Sequence, residues 1–334
     1  MNVDVLENET PKRLDRFSGK KVLVTGASGF IGSHLCRRLC RDGVEVNAIS
    51  RAKHFHNADG LRWWQGDLSE MATVRSLLTA IKPDVIFHLA GYPMGARELD
   101  HVMPSFRRNL MCTVNVLTAA AEIGCRRIVL TGSLEEPAEG NPQVVPGSPY
   151  AVAKWAGSAY ARMFHTLYHL PVVILRVFMV YGPAQQDCGK LIPYVILSLL
   201  REEAPKLSNG QRKVDWVYVE DVVEAFLAAA QAAGVEGTTI DVGSGALIPI
   251  RTVVESLVRL TNAQIKPLFG ALPDRPFEQV RVANTARSNA MIGWKPAMPL
   301  EKGLQCTVDW YRRQLKNSSR IVQSRIERKR RKSQ

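Results

Sequence analysis

Tyr150 and Lys154 stand four residues apart in a stretch whose apolar residues recur at helical spacing, so both side chains leave the same face of one helix. An ammonium beside a phenol favours the phenolate, which makes tyrosine a usable acid or base near neutral pH. A second group lies far upstream, in the turn Gly26-Ala27-Ser28-Gly29-Phe30-Ile31-Gly32. Its glycines let backbone N–H groups approach a pyrophosphate at a helix N-terminus, where the helix dipole also favours negative charge. Together the two groups point to redox chemistry on a bound nicotinamide dinucleotide, with a side-chain proton donor at hand.

The elements that must position these residues can be read from periodicity. Residues 21–25 form a short apolar run that breaks into the glycine cluster, and Ile31, Leu35 and Leu39 then recur at helical spacing until Asp42-Gly43. That is strand, turn and helix, the context a dinucleotide turn requires. Further apolar bursts at 44–49, 85–89, 127–130 and 172–177 alternate with helical stretches, among them 104–123 and 149–168. Strands alternating with helices predict an α/β fold, a Rossmann-type doubly wound parallel sheet with ligands at the strands' carboxyl ends.

Past Gly182-Pro183 the pattern changes to isolated helices (191–201, 251–261, 300–314) with short strands and prolines between them. The expected organisation is a polar leader over 1–18 and a dinucleotide-binding domain over 19–183 plus about 216–245. A smaller, discontinuous C-terminal α/β substrate region covers about 184–215 plus 246–316, and a basic, disordered tail covers 317–334. Residues 221–233 and 238–242 read as elements returning to the main sheet.

Composition bounds what such a chain does. With 334 residues and 46% hydrophobic content it can bury a substantial core. The six cysteines are scattered without CxxC spacing, which argues against a disulfide framework or a metal knot and for a reducing, cytoplasmic compartment. No run of eighteen apolar residues exists, and residues 1–16 are acidic and polar, so neither a membrane span nor a signal peptide is expected. The net charge of +13 resembles a nucleic-acid signal until it is located: residues 320–332 hold seven basic residues and one acid. Nearly half of the charge is therefore a solvated tail, and a nucleic-acid partner is not expected.

The end of the second strand bears on the cofactor. A carboxylate there usually accepts the ribose hydroxyls, whereas this chain has Ser50-Arg51. A small hydroxyl beside a guanidinium suits a 2′-phosphate, so NADP(H) is preferred and NAD(H) is the alternative. Asp67, after the strand-like residues 61–65, is placed to accept the adenine amino group, unless it only caps the helix that follows.

In this order the motifs resemble the extended short-chain dehydrogenase/reductase family of nucleotide-sugar epimerases, dehydratases, decarboxylases and ketoreductases. The matching segments are Val24-Thr25 with the glycine turn, Gly66-Asp67-Leu68, His88-Leu89-Ala90-Gly91, Asn109 with Val114-Asn115-Val116-Leu117, Ser148-Pro149-Tyr150 to Lys154, and Val180-Tyr181-Gly182-Pro183. The resemblance extends through Trp216 and Asp221 to Leu300 and Gly303. It implies that Tyr150 exchanges a proton with a sugar hydroxyl or carbonyl, that Lys154 holds the nicotinamide ribose, and that Ser133 hydrogen-bonds the reacting oxygen. It also implies a dinucleotide lined by Gly26, Ser28, Gly29, Phe30, Ile31, Gly32, Ser50, Arg51, Asp67, Leu68, Leu89, Ala90 and Gly91, and no metal. Asn109 would support the site from a neighbouring helix or merely mark a buried kink, and Tyr181 would sit near the nicotinamide. The helices 104–123 and 149–168 would make a homodimer contact.

Three departures from the family pattern narrow the reaction. Dehydratases place an Asp-Glu pair after the hydroxyl residue, and here the run is Ser133-Leu134-Glu135-Glu136. Leu134 cannot donate a proton, so the usual dehydration is disfavoured, although Glu135 leaves a decarboxylation or unusual elimination open; both glutamates can also be read as solvated loop carboxylates. Val214 replaces an arginine that contacts the nucleotide diphosphate in the family, leaving Arg212, Lys213 and Arg275 as the available cations, of which Arg275 matches a family position for phosphate contact. Residues 92–104, including Met94, should line the sugar pocket, and Met179 replaces a common asparagine. With Ser50-Arg51 the expectation is a 4-ketoreductase on a nucleotide-linked keto sugar using NADPH. The alternatives are a nucleotide-sugar 4-epimerase and, from another class, a noncatalytic dinucleotide sensor or scaffold.

Overall fold

The computed structural model describes residues 17, 19–52, 60–137, 145–274 and 279–332, with side chains as far as residue 317. The strands β1 (Val22–Thr25), β2 (Val46–Ser50), β3 (Leu61–Gln65), β4 (Val85–His88), β5 (Arg127–Ser133), β6 (Val172–Val177) and β10 (Thr239–Val242) form one seven-stranded sheet in the order β10-β6-β5-β4-β1-β2-β3. Every pairing in it is parallel. Strand order reverses at β1, which lies between β2 and β4, and such a reversal opens a crevice at the carboxyl ends of the strands.

Side-chain alternation along these strands builds two cores. Val22, Val24, Phe87, Val129, Val173 and Leu175 face one layer, which contains Leu35 and Leu39 of α1 (Phe30–Arg41) and Phe226 of α7 (Val219–Gln231). The intervening Leu23, Ile86, Ile128 and Ile174 face the other. That second layer holds Val74 and Leu78 of α2 (Met71–Ile81), Leu117 of α4 (Cys112–Ile123) and Ala161 of α5 (Pro149–Tyr168). Helices cover both faces, so the strands read as continuous apolar runs.

The expected helix over 104–123 is broken in three. A short α3 (Val102–Ser105) leads into a π-helical turn, Phe106–Met111, and only then into α4. The wide turn falls on Asn109, whose side chain bonds the backbone of a neighbouring segment.

The remaining chain forms a smaller region. A three-stranded sheet, β11-β9-β7, joins β7 (Met179–Tyr181), β9 (Lys213–Tyr218) and β11 (Leu247–Pro249); β8 (Lys206–Leu207) pairs with β12 (Leu268–Phe269). A third cluster, with Val195, Ile196, Trp216, Leu257 and Leu304, lies under α6 (Leu191–Leu200), α8 (Ile250–Thr261) and α10 (Leu300–Lys332). Between the regions, α7 and β10 return to the main sheet, and α9 (Thr285–Ile292) packs on β10. The helix α10 runs well past residue 314, where the apolar periodicity ends. Its continuation has no glycine or proline and is rich in arginine and lysine, which are good helix formers.

Candidate active site

The glycine turn closes as the residue types require. Gly26 has φ +69°, and a Cβ there would lie 2.6 Å from the Ala90 nitrogen, so only glycine lets β1 approach β4 this closely. A Cβ on Gly32 would overlap the Gly26 carbonyl oxygen, which brings α1 down onto the turn. Gly29 caps α1 with no side-chain hydrogen bond, and no acid occupies the first turn. The N–H groups of Phe30, Ile31 and Gly32 have no carbonyl one turn back within the helix and are presented for an anion.

The crevice floor is a hydrogen-bonded chain across three elements. Thr25 Oγ1 lies 2.8 Å from His88 Nδ1, and His88 Nε2 lies 3.1 Å from Thr113 Oγ1. Thr113 spends its hydroxyl proton on the Asn109 carbonyl at 2.7 Å, so it accepts from His88; Thr25 in turn donates to Nδ1. This assigns a neutral, Nε2-protonated imidazole. Burial, with the Lys154 charge adding to it, pushes the His88 ring down to about 3. Asn109, buried, accepts from the Tyr92 nitrogen at 2.7 Å and donates to the Tyr92 oxygen at 3.3 Å, so it fixes the segment that follows β4.

At the ends of β4 and β5 the structure brings Ser133, Tyr150, Lys154 and Glu135 together. Ser148 caps α5 by accepting from the Ala151 nitrogen at 3.1 Å, with Pro149 at the first helical position, and this places Tyr150 and Lys154 in the first turns. The Lys154 ammonium donates to the Thr131 carbonyl at 2.8 Å, and Ser133 hydrogen-bonds the Tyr150 hydroxyl. Burial brings Lys154 down to about 8, with Glu136 opposing. Burial also pushes the Tyr150 phenol up, Ser133 opposes it, and the Glu135 and Glu136 carboxylates push it further up. The lowering expected from Lys154 is not among these contributions, and in the chain alone the phenol is held protonated.

Glu135 is half-buried. Its nitrogen donates to Ser133 Oγ at 3.2 Å, and its carboxylate accepts from Ser148 Oγ at 3.3 Å. A Cβ on Gly95 would lie 3.4 Å from Glu135 Oε1, which brings the Met94-Gly95 segment to the same mouth. Glu136 departs from the solvated-loop reading: it is 2% exposed and lies under Ser133. Leu134 is buried in the first core, so its position carries no acid.

The adenosine end is less enclosed. Ser50 is buried and accepts from the Ala52 nitrogen at 3.2 Å, while the Arg51 side chain is exposed. Asp67 is not the N-cap of α2, which is Glu70; its carboxylate accepts from Ser69 N and Oγ, each at 2.9 Å. The Ser69 N–H, with the Ser69 hydroxyl and the charges of Arg51 and Arg108 adding to it, holds Asp67 below the usual carboxylate range, and burial opposes them. Arg108, which lies in the π-helical turn with its guanidinium over the Tyr92 ring, was not legible as a neighbour of Asp67. Leu68 is buried, and its carbonyl accepts from Asn115 at 2.9 Å.

The nucleotide end diverges from expectation. Tyr181 is turned into the third cluster, where it meets Tyr218 with ring centroids 5.6 Å apart and donates to the Leu300 carbonyl at 3.2 Å; its hydroxyl is committed to packing. Val214 is buried in the same cluster. Arg212 is half-buried, and Arg275 lies outside the described residues. Asp215, 1% exposed, accepts from the nitrogens of Ser244, Gly245 and Ala283 and so pins two loops to β9. A strap over residues 183–190 crosses between the regions: His34 Nε2 meets the Pro183 carbonyl at 3.0 Å, Gln186 donates to the Ser28 carbonyl at 2.8 Å, and Lys190 donates to the Pro93 carbonyl at 2.8 Å.

A parallel sheet reversing at β1, an anion-ready α1 and a Ser133, Tyr150 and Lys154 cluster beside it define a dinucleotide-dependent redox enzyme. The model of the NAD dependent epimerase/dehydratase family matches residues 22–243, and the chain belongs to that family, the extended short-chain dehydrogenases/reductases. It is 33% identical over 311 residues to a UDP-glucose 4-epimerase of Mycolicibacterium smegmatis, covering 87% of this chain and 98% of that one. It is 28% identical over 330 residues to a mouse dTDP-D-glucose 4,6-dehydratase, covering 89% and 90%. The fold superimposes on the Thermus thermophilus UDP-glucose 4-epimerase in complex with NAD with a TM-score of 0.77, at 27% identity over 87% of this chain and 99% of that one. An enzyme of this family replaces the sensor or scaffold reading. No described helix is long and apolar enough to cross a membrane.

Proposed function

We propose that the protein is a nucleotide-sugar 4-epimerase that keeps its dinucleotide through the catalytic cycle. The observation that carries this reading is the Ser133, Tyr150 and Lys154 cluster set beside a buried Leu134. The cluster can move a proton on and off a sugar oxygen, whereas the position that would protonate a leaving hydroxyl is apolar. The epimerase relative spans nearly its whole length on this chain, which favours a reaction with no net redox change over the ketoreductase expected from Ser50-Arg51.

The chain's part in the reaction follows from the geometry. Tyr150, a phenol in the chain alone, would serve as the base once the positive charge of a bound nicotinamide favours its phenolate. It takes the proton of the sugar 4-hydroxyl and later returns it to the same oxygen, while the hydride leaves C4 and comes back to the other face of C4. Ser133 donates a hydrogen bond to that oxygen. Lys154, fixed on the Thr131 carbonyl, presents its remaining N–H groups towards the ribose side of the crevice near Gly91. Bound dinucleotide supplies the hydride acceptor and donor, held by the α1 N–H groups, with Asp67 and Leu68 at the adenine and Leu89, Ala90 and Gly91 along the ribose. Met94, Arg212 and Arg275 are the proposed contacts to the sugar and diphosphate, with a uridine diphosphate the leading nucleotide because the epimerase relative acts on UDP-glucose.

Incubation with UDP-glucose in D2O should yield the 4-epimer with no solvent deuterium at C4, and denatured protein should release NAD. Net consumption of NADPH on a 4-keto sugar, with no dinucleotide retained, would sink the epimerase reading. That second reading keeps one specific observation in its favour, the pair Arg51 and Arg108 around Asp67, which suits a 2′-phosphate. We further propose a homodimer through α3 to α5, because Val102, Met103, Phe106, Val152, Trp155 and Tyr160 expose apolar surface there. Trp155→Glu should halve the mass seen by light scattering. The free cysteines fit a cytoplasmic site of action.

A further inference from the structure

Glu136 is a buried carboxyl that the reaction above does not use. It follows β5 by three residues and grips both peptide groups of Ser133: its nitrogen donates to the Ser133 carbonyl at 3.1 Å, and its Oε1 accepts from the Ser133 nitrogen at 2.7 Å. The space for this carboxylate is built into the strand, since a Cβ on Gly132 would lie 2.6 Å from Oε1. Arg281 donates to the Glu136 carbonyl at 2.9 Å and holds the turn from the far side.

We propose that Glu136 is a positioning residue of the catalytic site: it fixes the Ser133 backbone and supplies the buried carboxylate that faces Lys154. The proposal rests on the redox reading of Ser133, Tyr150 and Lys154. The groups facing Glu136 are Arg176 from β6 and Ser158, Lys154 and Tyr150 from α5, with Glu135 next in the chain; Arg176 is shared with Asp241 of β10 at 3.1 Å. Burial pushes the Glu136 carboxyl up, and the Ser133 N–H, Ser158 and the charges of Arg176 and Lys154 oppose it. A side chain needed only to fill this turn would be apolar, as Leu134 is two residues earlier, because a buried carboxylate costs several kcal/mol. A carboxylate answers two needs at once. It accepts the Ser133 N–H, so the hydroxyl is aimed at Tyr150, and its charge favours the ammonium form of a lysine that burial discourages.

The two roles separate in two variants of the full chain. Glu136→Gln keeps an acceptor of the same reach and removes the charge, while Glu136→Asp keeps the charge and falls short of the Ser133 N–H. One readout is the pH midpoint at which Lys154 becomes reactive to acetic anhydride, followed by peptide mass spectrometry. The other is amide hydrogen exchange at Ser133. Glu136→Gln should lower the Lys154 midpoint by about one pH unit and leave Ser133 exchange unchanged. Glu136→Asp should leave the midpoint near that of the wild type and speed Ser133 exchange about tenfold. An unmoved midpoint in Glu136→Gln, or unmoved exchange in Glu136→Asp, overturns the corresponding role. Neither readout needs turnover, so inactivity of the wild type on nucleotide sugars would refute the epimerase and still leave Glu136 tested.

Discussion

Replacing Lys154 by methionine should remove activity and, below pH 8, stabilise the dinucleotide-free protein. The ammonium has an ordinary value of 10.5 and titrates at about 8 in the folded chain because it is buried. Between those values the unfolded chain binds more protons than the folded one, so stability rises with pH across the window 8 to 10.5. Below 8 both states are charged and the full penalty applies, about 3 kcal/mol as an upper bound. Methionine is similar in length and carries no charge, but it forfeits the 2.8 Å bond to the Thr131 carbonyl, a loss of about 1–2 kcal/mol. The net expectation is a variant more stable by about 1–2 kcal/mol at pH 7. Urea unfolding of both proteins at pH 7, 8, 9 and 10 measures the difference directly. The advantage of Lys154→Met should shrink steadily above pH 8. A difference that stays constant from pH 7 to 10 would refute the assignment of the shift to burial of the charged form.

Three further outcomes are expected. Tyr150→Phe should lower kcat at least about a hundredfold in an epimer-conversion assay, because it deletes the proton donor and keeps the ring. Gly26→Ala should cost about 1–3 kcal/mol in unfolding experiments and weaken dinucleotide binding in calorimetry, since the new Cβ meets the Ala90 nitrogen at a φ of +69°. Arg51→Ala should weaken NADP(H) binding more than NAD(H) binding by fluorescence titration, and equal losses would remove the case for a 2′-phosphate contact.

What could be read from the sequence is what local chemistry dictates. The glycine turn announces itself because an apolar strand, small residues and an amphipathic helix follow one another within about twenty residues, and strand alternation needs only neighbouring positions. Tyr150 and Lys154 share a helix, so their spacing is enough. The misreadings involve contacts made over long separations. Glu136 looks like a loop carboxylate until Arg176 is brought beside it from β6. Arg108 is missed for a second reason, since the wide helical turn that holds it leaves no mark in the apolar periodicity, whereas Asn109, read as a support or a buried kink, lies buried in that turn.

The neutral His88 at the crevice floor has a consequence for how the enzyme meets acid. A histidine beside an active centre is ordinarily the first suspect for a change in rate between pH 5 and 8, but one held at about 3 keeps its tautomer throughout that range. Mild acidification therefore leaves the floor's hydrogen bonds unaltered, and the rate should carry no histidine signature from this residue. The same residue makes the fold itself acid-sensitive. As pH falls below 6.5 only the unfolded chain takes up the proton, so stability drops by up to about 1.4 kcal/mol for each pH unit until about 3. Under acid stress the effect expected of His88 is therefore on the size of the folded population and not on the rate of the molecules that stay folded.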